Sequence, residues 1–150
     1  MIKVILSSVG TILLVSLLSA APAPKDTDQE MIQGTWKLES VESGGQVYVE
    51  QYKDWTFNIK DDKLIIKIGD KVAKEYAIKI DPDKKPKTVD LIREIGGQTL
   101  TELGIYELDG DTWKMCNDEA GITRPTEYGT KEGTRLEVIV MKRVKNKDKE

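Results

Sequence analysis

The sequence predicts an all-β fold, an eight-stranded up-and-down antiparallel barrel with a short N-terminal helical turn. Three observations point to it. From residue 34 onward apolar residues recur with period two, the spacing of strands that bury one face. Tight-turn pairs, Asp61-Asp62, Gly69-Asp70, Gly96-Gly97 and Asp109-Gly110, separate the alternating stretches. Helical periodicity is nearly absent beyond residue 33. Closing such strands into a barrel removes the edges that an open sheet would expose.

The elements follow in order. Thr27 and Glu30 have capping-box spacing, so a single helical turn carrying Met31 and Ile32 starts there. The first strand covers 34–41, with Trp36 and Leu38 on one face and Lys37 and Glu39 on the other. A long connection follows, Ser43-Gly44-Gly45-Gln46 and then residues 47–54, where Tyr48, Val49 and Tyr52 are spaced as on a short helical turn. Strands two to four cover 55–60, 63–68 and 72–80, the last alternating through Tyr76, Ile78 and Ile80. Pro82 and Pro86 exclude 81–86 from a central strand, because proline donates nothing to a ladder. Its alternating Asp and Lys residues form a solvated turn, not a calcium loop. Strands five to seven cover 87–93, 99–108 and 112–117. A long loop, 118–133, precedes the last strand, 134–143, and the tail 144–150 is almost all charged.

The register at Asp109-Gly110 has two solutions. A two-residue loop puts Tyr106 opposite Trp113; a three-residue turn with Gly110 left-handed in a bulge puts Ile105 there. The bulged register is preferred, because it gathers Leu103, Ile105, Trp113 and Met115 on one apolar face. It places Glu102 on the solvated exterior.

Domain organisation is simple. Lys3, the apolar run from Val4 to Leu18 and the small residues Ser19, Ala20 and Ala21 read as a signal peptide over 1–20. The expected address is therefore exported, periplasmic or secreted. The alternative is an uncleaved anchor over 2–21, long enough to span a bilayer and the chain's sole expected membrane contact. Linker and helical cap occupy 21–30, the barrel domain 31–143 and the flexible tail 144–150.

Composition narrows the function. The chain has 150 residues and a net charge of -3, one domain's worth without the basic balance that nucleic acid attracts. It has 0 His and 1 Cys, which excludes His-based triads, imidazole metal ligands and an internal disulfide. No cofactor or metal is implied. Cys116 has no histidine to activate it and reads as a small semi-buried residue near a strand end.

Gly34-Thr35-Trp36-Lys37 resembles the Gly-x-Trp that opens lipocalin and fatty-acid-binding barrels. The run Gly104-Ile105-Tyr106-Glu107-Leu108-Asp109-Gly110-Asp111-Thr112, then Cys116 and Arg124-Pro125-Thr126-Glu127-Tyr128, is similar to exported lipocalin-like domains of planctomycete bacteria. Asp83-Lys84-Lys85-Pro86-Lys87 with Asp90-Leu91 fits that pattern, which spans about residues 32–143. Trp113 and Tyr128 depart from it but stay apolar. The resemblance implies a lipocalin-like barrel and an exported address; it carries no function. True lipocalins lay a last-strand arginine over the first-strand tryptophan. The last strand runs antiparallel to the first, so Arg143 rather than Arg135 is the expected neighbour of Trp36. Gly34, Trp36, Gly110 and Arg143 are thus structural candidates.

Such a barrel is either filled by its own side chains or holds one small ligand. The leading expectation is an exported, non-enzymatic barrel that binds a small, largely apolar or amphipathic molecule at its open end. The alternative is a filled barrel that serves as a structural or protein-interaction module in the cell envelope. A third is an enzyme using Glu102 with Lys114 or Tyr106. Interior volume discriminates, a ligand pocket being on the order of 300 Å³ or more. The helical turn and Trp36 close one end. The connections after strands one and seven leave at the other, so Tyr48 and Tyr52 form the expected cover, joined by Tyr128, with Arg124 as the single charged anchor. Arg124 has a competing role as a clamp holding its loop against the barrel.

Overall fold

The computed structural model describes residues 27–145. The expected leader, most of the linker and the last five residues of the tail lie outside the described residues. The chain opens with a single helical turn, α1 (Asp28–Met31). Thr27 and Glu30 cap it reciprocally: the Glu30 amide donates to Thr27 Oγ1 at 3.3 Å and the Thr27 amide to Glu30 Oε2 at 2.7 Å. Strands follow as β1 (Gly34–Ser43), β2 (Gln46–Tyr48), β3 (Trp55–Lys60), β4 (Lys63–Ile68), β5 (Lys71–Asp81), β6 (Thr88–Ile95), β7 (Gln98–Asp109), β8 (Thr112–Asp118) and β9 (Leu136–Arg143).

All neighbours pair antiparallel in the order β2-β1-β3-β4-β5-β6-β7-β8-β9, and β1 also pairs with β9. That last pairing, from Trp36↔Arg143 to Ser43↔Glu137, closes an eight-stranded barrel. The short β2 pairs with β1 alone, through Val41↔Tyr48, and stands as a flap beyond the ring. The connection expected as a helical turn over Tyr48–Tyr52 is therefore this β2 flap, followed by a 3-10 turn, Glu50–Tyr52. Gly44 and Gly45 supply the left-handed turn that sends β2 back along β1.

The end beneath α1 is sealed. Ile32, Trp36 and Trp113 are fully buried, the two indoles edge-to-face at 5.6 Å. Trp36 Nε1 donates to the Ile32 carbonyl at 2.8 Å, so the largest core side chain also ties down the cap. The Arg143 guanidinium lies 4.2 Å from the Trp36 ring centroid. It donates to the carbonyls of Gln33 and Met31, and its Nε is 3.3 Å from Asp111. Asp28 accepts from Tyr106 Oη at 2.6 Å and Lys87 Nζ at 2.7 Å. Burial raises the Asp28 pKa, but the Lys87 and Tyr106 hydrogen bonds and the Lys87 charge outweigh it and hold the carboxyl below its usual range.

The bulged register of β7 and β8 is not the one adopted. Asp109 pairs with Thr112, Leu108 with Trp113, Tyr106 with Met115 and Ile105 with Cys116. Gly110, at φ 53, and Asp111 form the turn instead of Asp109-Gly110. The interior face is thus Tyr106, Leu108, Trp113 and Met115. Ile105 and Cys116 face outward and join Val138 in a second buried cluster, packed against Tyr128 and Leu136. Both faces of these strands are buried, so gathering apolar residues on one face could not select the register. Glu102 lies on the interior with Tyr106, not on the exterior, and Cys116 is fully buried rather than semi-buried.

The second cluster is roofed by the connection between β8 and β9. Asp118 starts it, accepting from the amides of Ala120, Ile122 and Thr123. Burial pushes its carboxyl up, but the backbone donors Thr123, Ala120 and Ile122, with Arg135, bring it below its ordinary value. The loop then runs along the outer wall. Arg124 Nη1 donates to the Gly104 carbonyl at 2.7 Å and to that of Val89 at 3.2 Å, and Nη2 reaches Asp90 at 2.7 Å. Thr130 returns to the open end, bonding Glu42 and the Gly45 amide.

Candidate functional site: the open barrel end

Opposite α1 the barrel contains a cavity of about 240 Å³. It is just below the roughly 300–1,000 Å³ of drug-sized pockets. Strand direction explains its position. Strands β1, β4, β6 and β8 run upward from the sealed end, so their last residues, and the first of β3, β5, β7 and β9, ring this mouth. The floor is apolar, made by Leu38, Phe57, Ile66, Leu91, Met115 and Ile139. Tyr52 and Trp55 stand at its edge, ring to ring at 5.2 Å.

Above the floor the wall turns polar. Glu102 is buried, accepts from Tyr76 Oη at 2.7 Å and from Asn117 Nδ2 at 3.2 Å, and lies 3.8 Å from Arg93. Asn117 is itself buried, and its Oδ1 has no hydrogen-bond partner among the described residues. Glu137 is the cross-strand partner of Asn117, and its carboxylate makes neither a side-chain hydrogen bond nor an ion pair among the described residues. Lys74 reaches Glu119 at 3.7 Å. Burial raises the Glu102 pKa, and Glu119 adds to this, against lowering by the Tyr76 bond, Lys74 and Arg93. Glu137 is raised by burial and by Glu119 and Glu102, with Lys74 opposing. Burial and the bond to Glu102 raise the Tyr76 hydroxyl as well.

The strands part at two places in the described wall, and one of them is an open slot. β5 pairs with β6 only from Ala77↔Ile92 to Asp81↔Thr88, so the upper halves of the two strands part. Arg93 flanks this opening, 5.5 Å from the Tyr76 ring centroid. The comparable gap above Lys37↔Thr56, where β1 leaves β3, is taken by the 3-10 turn that carries Tyr52.

Of the expected ligand-contacting residues, only Tyr52 lines this cavity. Tyr48 sits on the β2 flap and donates to Gln46 Oε1 at 3.1 Å. Arg124 and Tyr128 do not arch over the mouth. They border a separate recess of about 660 Å³ formed within the long loop itself, between the end of β8 at Asp118 and the start of β9 at Leu136. The loop leaves at the mouth, as strand direction requires, but the apolar patch of Ile105, Cys116 and Val138 draws it down the outside. The Tyr128 ring lies 4.4 Å from Lys114 Nζ, and Arg124 grips the wall. Glu102 is not beside either proposed enzymatic partner: Lys114 is outside the barrel with Tyr128, and Tyr106 bonds Asp28 at the sealed end.

Sequence reasoning missed Asn117 and Glu137. The signal was present, because Asn117 is in phase with the inward Trp113 and Met115, and Glu137 with the inward Ile139 and Met141. A polar residue in the apolar phase near a strand's mouth end marks a lining position. Among the described residues no group of three or more His, Cys, Asp or Glu could hold a metal ion. None of the described helices is long and apolar enough to cross a membrane. Comparison with protein-family models, curated proteins and solved structures finds no match for the chain.

Proposed function

We propose that the chain is an exported, non-catalytic lipocalin-like barrel that binds a small, largely apolar molecule at its open end. The observation that carries this reading is the cavity of about 240 Å³, floored by aliphatic and aromatic side chains and open beside Tyr52 and Trp55. Apolar walls supply affinity by taking ligand surface out of water, and a few polar groups orient what enters. In this proposal Tyr52 is a ligand contact, Tyr48 belongs to the flap, and Arg124 and Tyr128 hold the loop to the wall. The exported address rests on the leader pattern of residues 1–20 and on the resemblance to exported planctomycete domains. The test is native mass spectrometry of protein purified from the exported fraction. The expected result is a bound small-molecule mass that denaturation releases. Ligand-free protein, together with failure of small apolar probes to bind, would overturn the reading.

One observation favours an interaction module in the cell envelope. Val47, Val49, Ile68, Val72, Ile95 and Leu100 are all exposed, and all lie on the flap or beside mouth-end turns. An apolar rim of this kind suits a protein partner. Stable hetero-complexes of the ligand-free chain in the same spectra would support it.

A further inference from the structure

From the polar groups of the mouth we propose that the ligand is an amine, a small apolar skeleton ending in an ammonium group, held by Glu137, Asn117 and Glu102. This rests on the binding reading above and specifies its chemistry. The argument is a donor and acceptor census. Glu102 already accepts from Tyr76 and Asn117. Because Asn117 spends its amide nitrogen on Glu102, the end it has left over is Oδ1, a buried acceptor without a partner among the described residues. A buried acceptor left unmade is costly, so a ligand that supplies a donor gains there. Glu137, across the ladder from Asn117, adds a carboxylate with no hydrogen bond or ion pair among the described residues. Carboxylates accept only, and an ammonium has three donors and no acceptor.

Charge points the same way. Three carboxylates, Glu102, Glu119 and Glu137, line the cavity against one lysine, Lys74, which is 3.7 Å from Glu119. Arg93 stands 3.8 Å from Glu102 at the slot, so both cations pair with other carboxylates and Glu137 has no ion-pair partner among the described residues. A hydroxyl would satisfy Asn117 Oδ1 but leave the Glu137 charge unpaired; a carboxylate would meet like charge. Below these groups the apolar floor takes a short hydrocarbon or ring, and the cavity of about 240 Å³ limits its size.

The test is calorimetric titration at neutral pH of the full chain, as processed by the expressing cell, with hexylamine, hexan-1-ol and hexanoate. These share a skeleton and differ at the head group. The expected order is amine, alcohol, carboxylate, with the amine bound about tenfold or more tighter than the alcohol. Glu137→Gln should erase that preference and leave alcohol binding in place. Equal affinity for amine and alcohol, or preference for hexanoate, overturns the amine assignment and leaves the cavity reading standing. Binding by none of the three overturns both. An amine preference that survives in a folded Glu137→Gln protein removes Glu137 from the site. The comparison on the parent protein decides the head group even where the variant does not fold.

Discussion

Trp36 and Arg143 meet because β1 and β9 run in opposite directions. A residue near the start of one must face a residue near the end of the other, and Trp36 pairs with Arg143 in the ladder. That much was legible from strand direction and a Gly-x-Trp. The two residues carry different loads. Trp36 is fully buried and packs on Trp113, so Trp36→Ala should lower stability by about 3–5 kcal/mol in urea unfolding. Arg143 is partly exposed and stacks on the rim of that core, so Arg143→Ala should cost less and leave near-ultraviolet dichroism intact. An unshifted unfolding midpoint for Trp36→Ala would contradict the sealed-end description. Glu102, by contrast, was misplaced by the sequence reading. Its side follows from a register that one residue at the Gly110-Asp111 turn decides.

At the scale of elements, the strands and their tight turns were readable because period-two alternation and Gly or Asp pairs are local signals. The long loop was not. Its start follows from strand order, but its course depends on the outward patch of Ile105, Cys116 and Val138. That patch lies on three strands, so no local pattern shows it. Arg124 fastens the loop, through two main-chain carbonyls and Asp90. Arg124→Ala strands these partly buried acceptors and should cost about 1–3 kcal/mol. Amide exchange should rise across residues 119–135, while hexylamine affinity at the mouth stays unchanged. Loss of mouth binding with the loop still protected would restore Arg124 as an anchor. The β2 flap was missed for a related reason: three residues are too short a run to separate a strand from a turn.

On the scale of the whole molecule, the barrel is sealed at one end by α1 and its indoles and leaves polar groups in apolar surroundings at the other. Such groups weaken the fold that holds them, and Glu137 shows the sign. Burial, Glu119 and Glu102 raise its pKa above the ordinary 4.5, against Lys74. Between the ordinary and the raised value the native state keeps a proton that the unfolded chain has lost, so the parent loses stability as pH rises through that window. Glu137→Gln has no such loss. Its urea midpoint should exceed the parent's at about pH 7 and approach it below about pH 4. A lower midpoint for the variant at neutral pH would mean that Glu137 stabilises the barrel rather than serving a ligand. The most direct measurement on the mouth is to fill it. Ile139 lines the cavity floor, and Ile139→Trp places an indole in the space of about 240 Å³. Calorimetry of hexylamine and hexan-1-ol against the folded variant should show binding abolished, with the loop and the sealed end unchanged in amide exchange. Undiminished binding to Ile139→Trp would contradict the account and put the ligand elsewhere on the molecule.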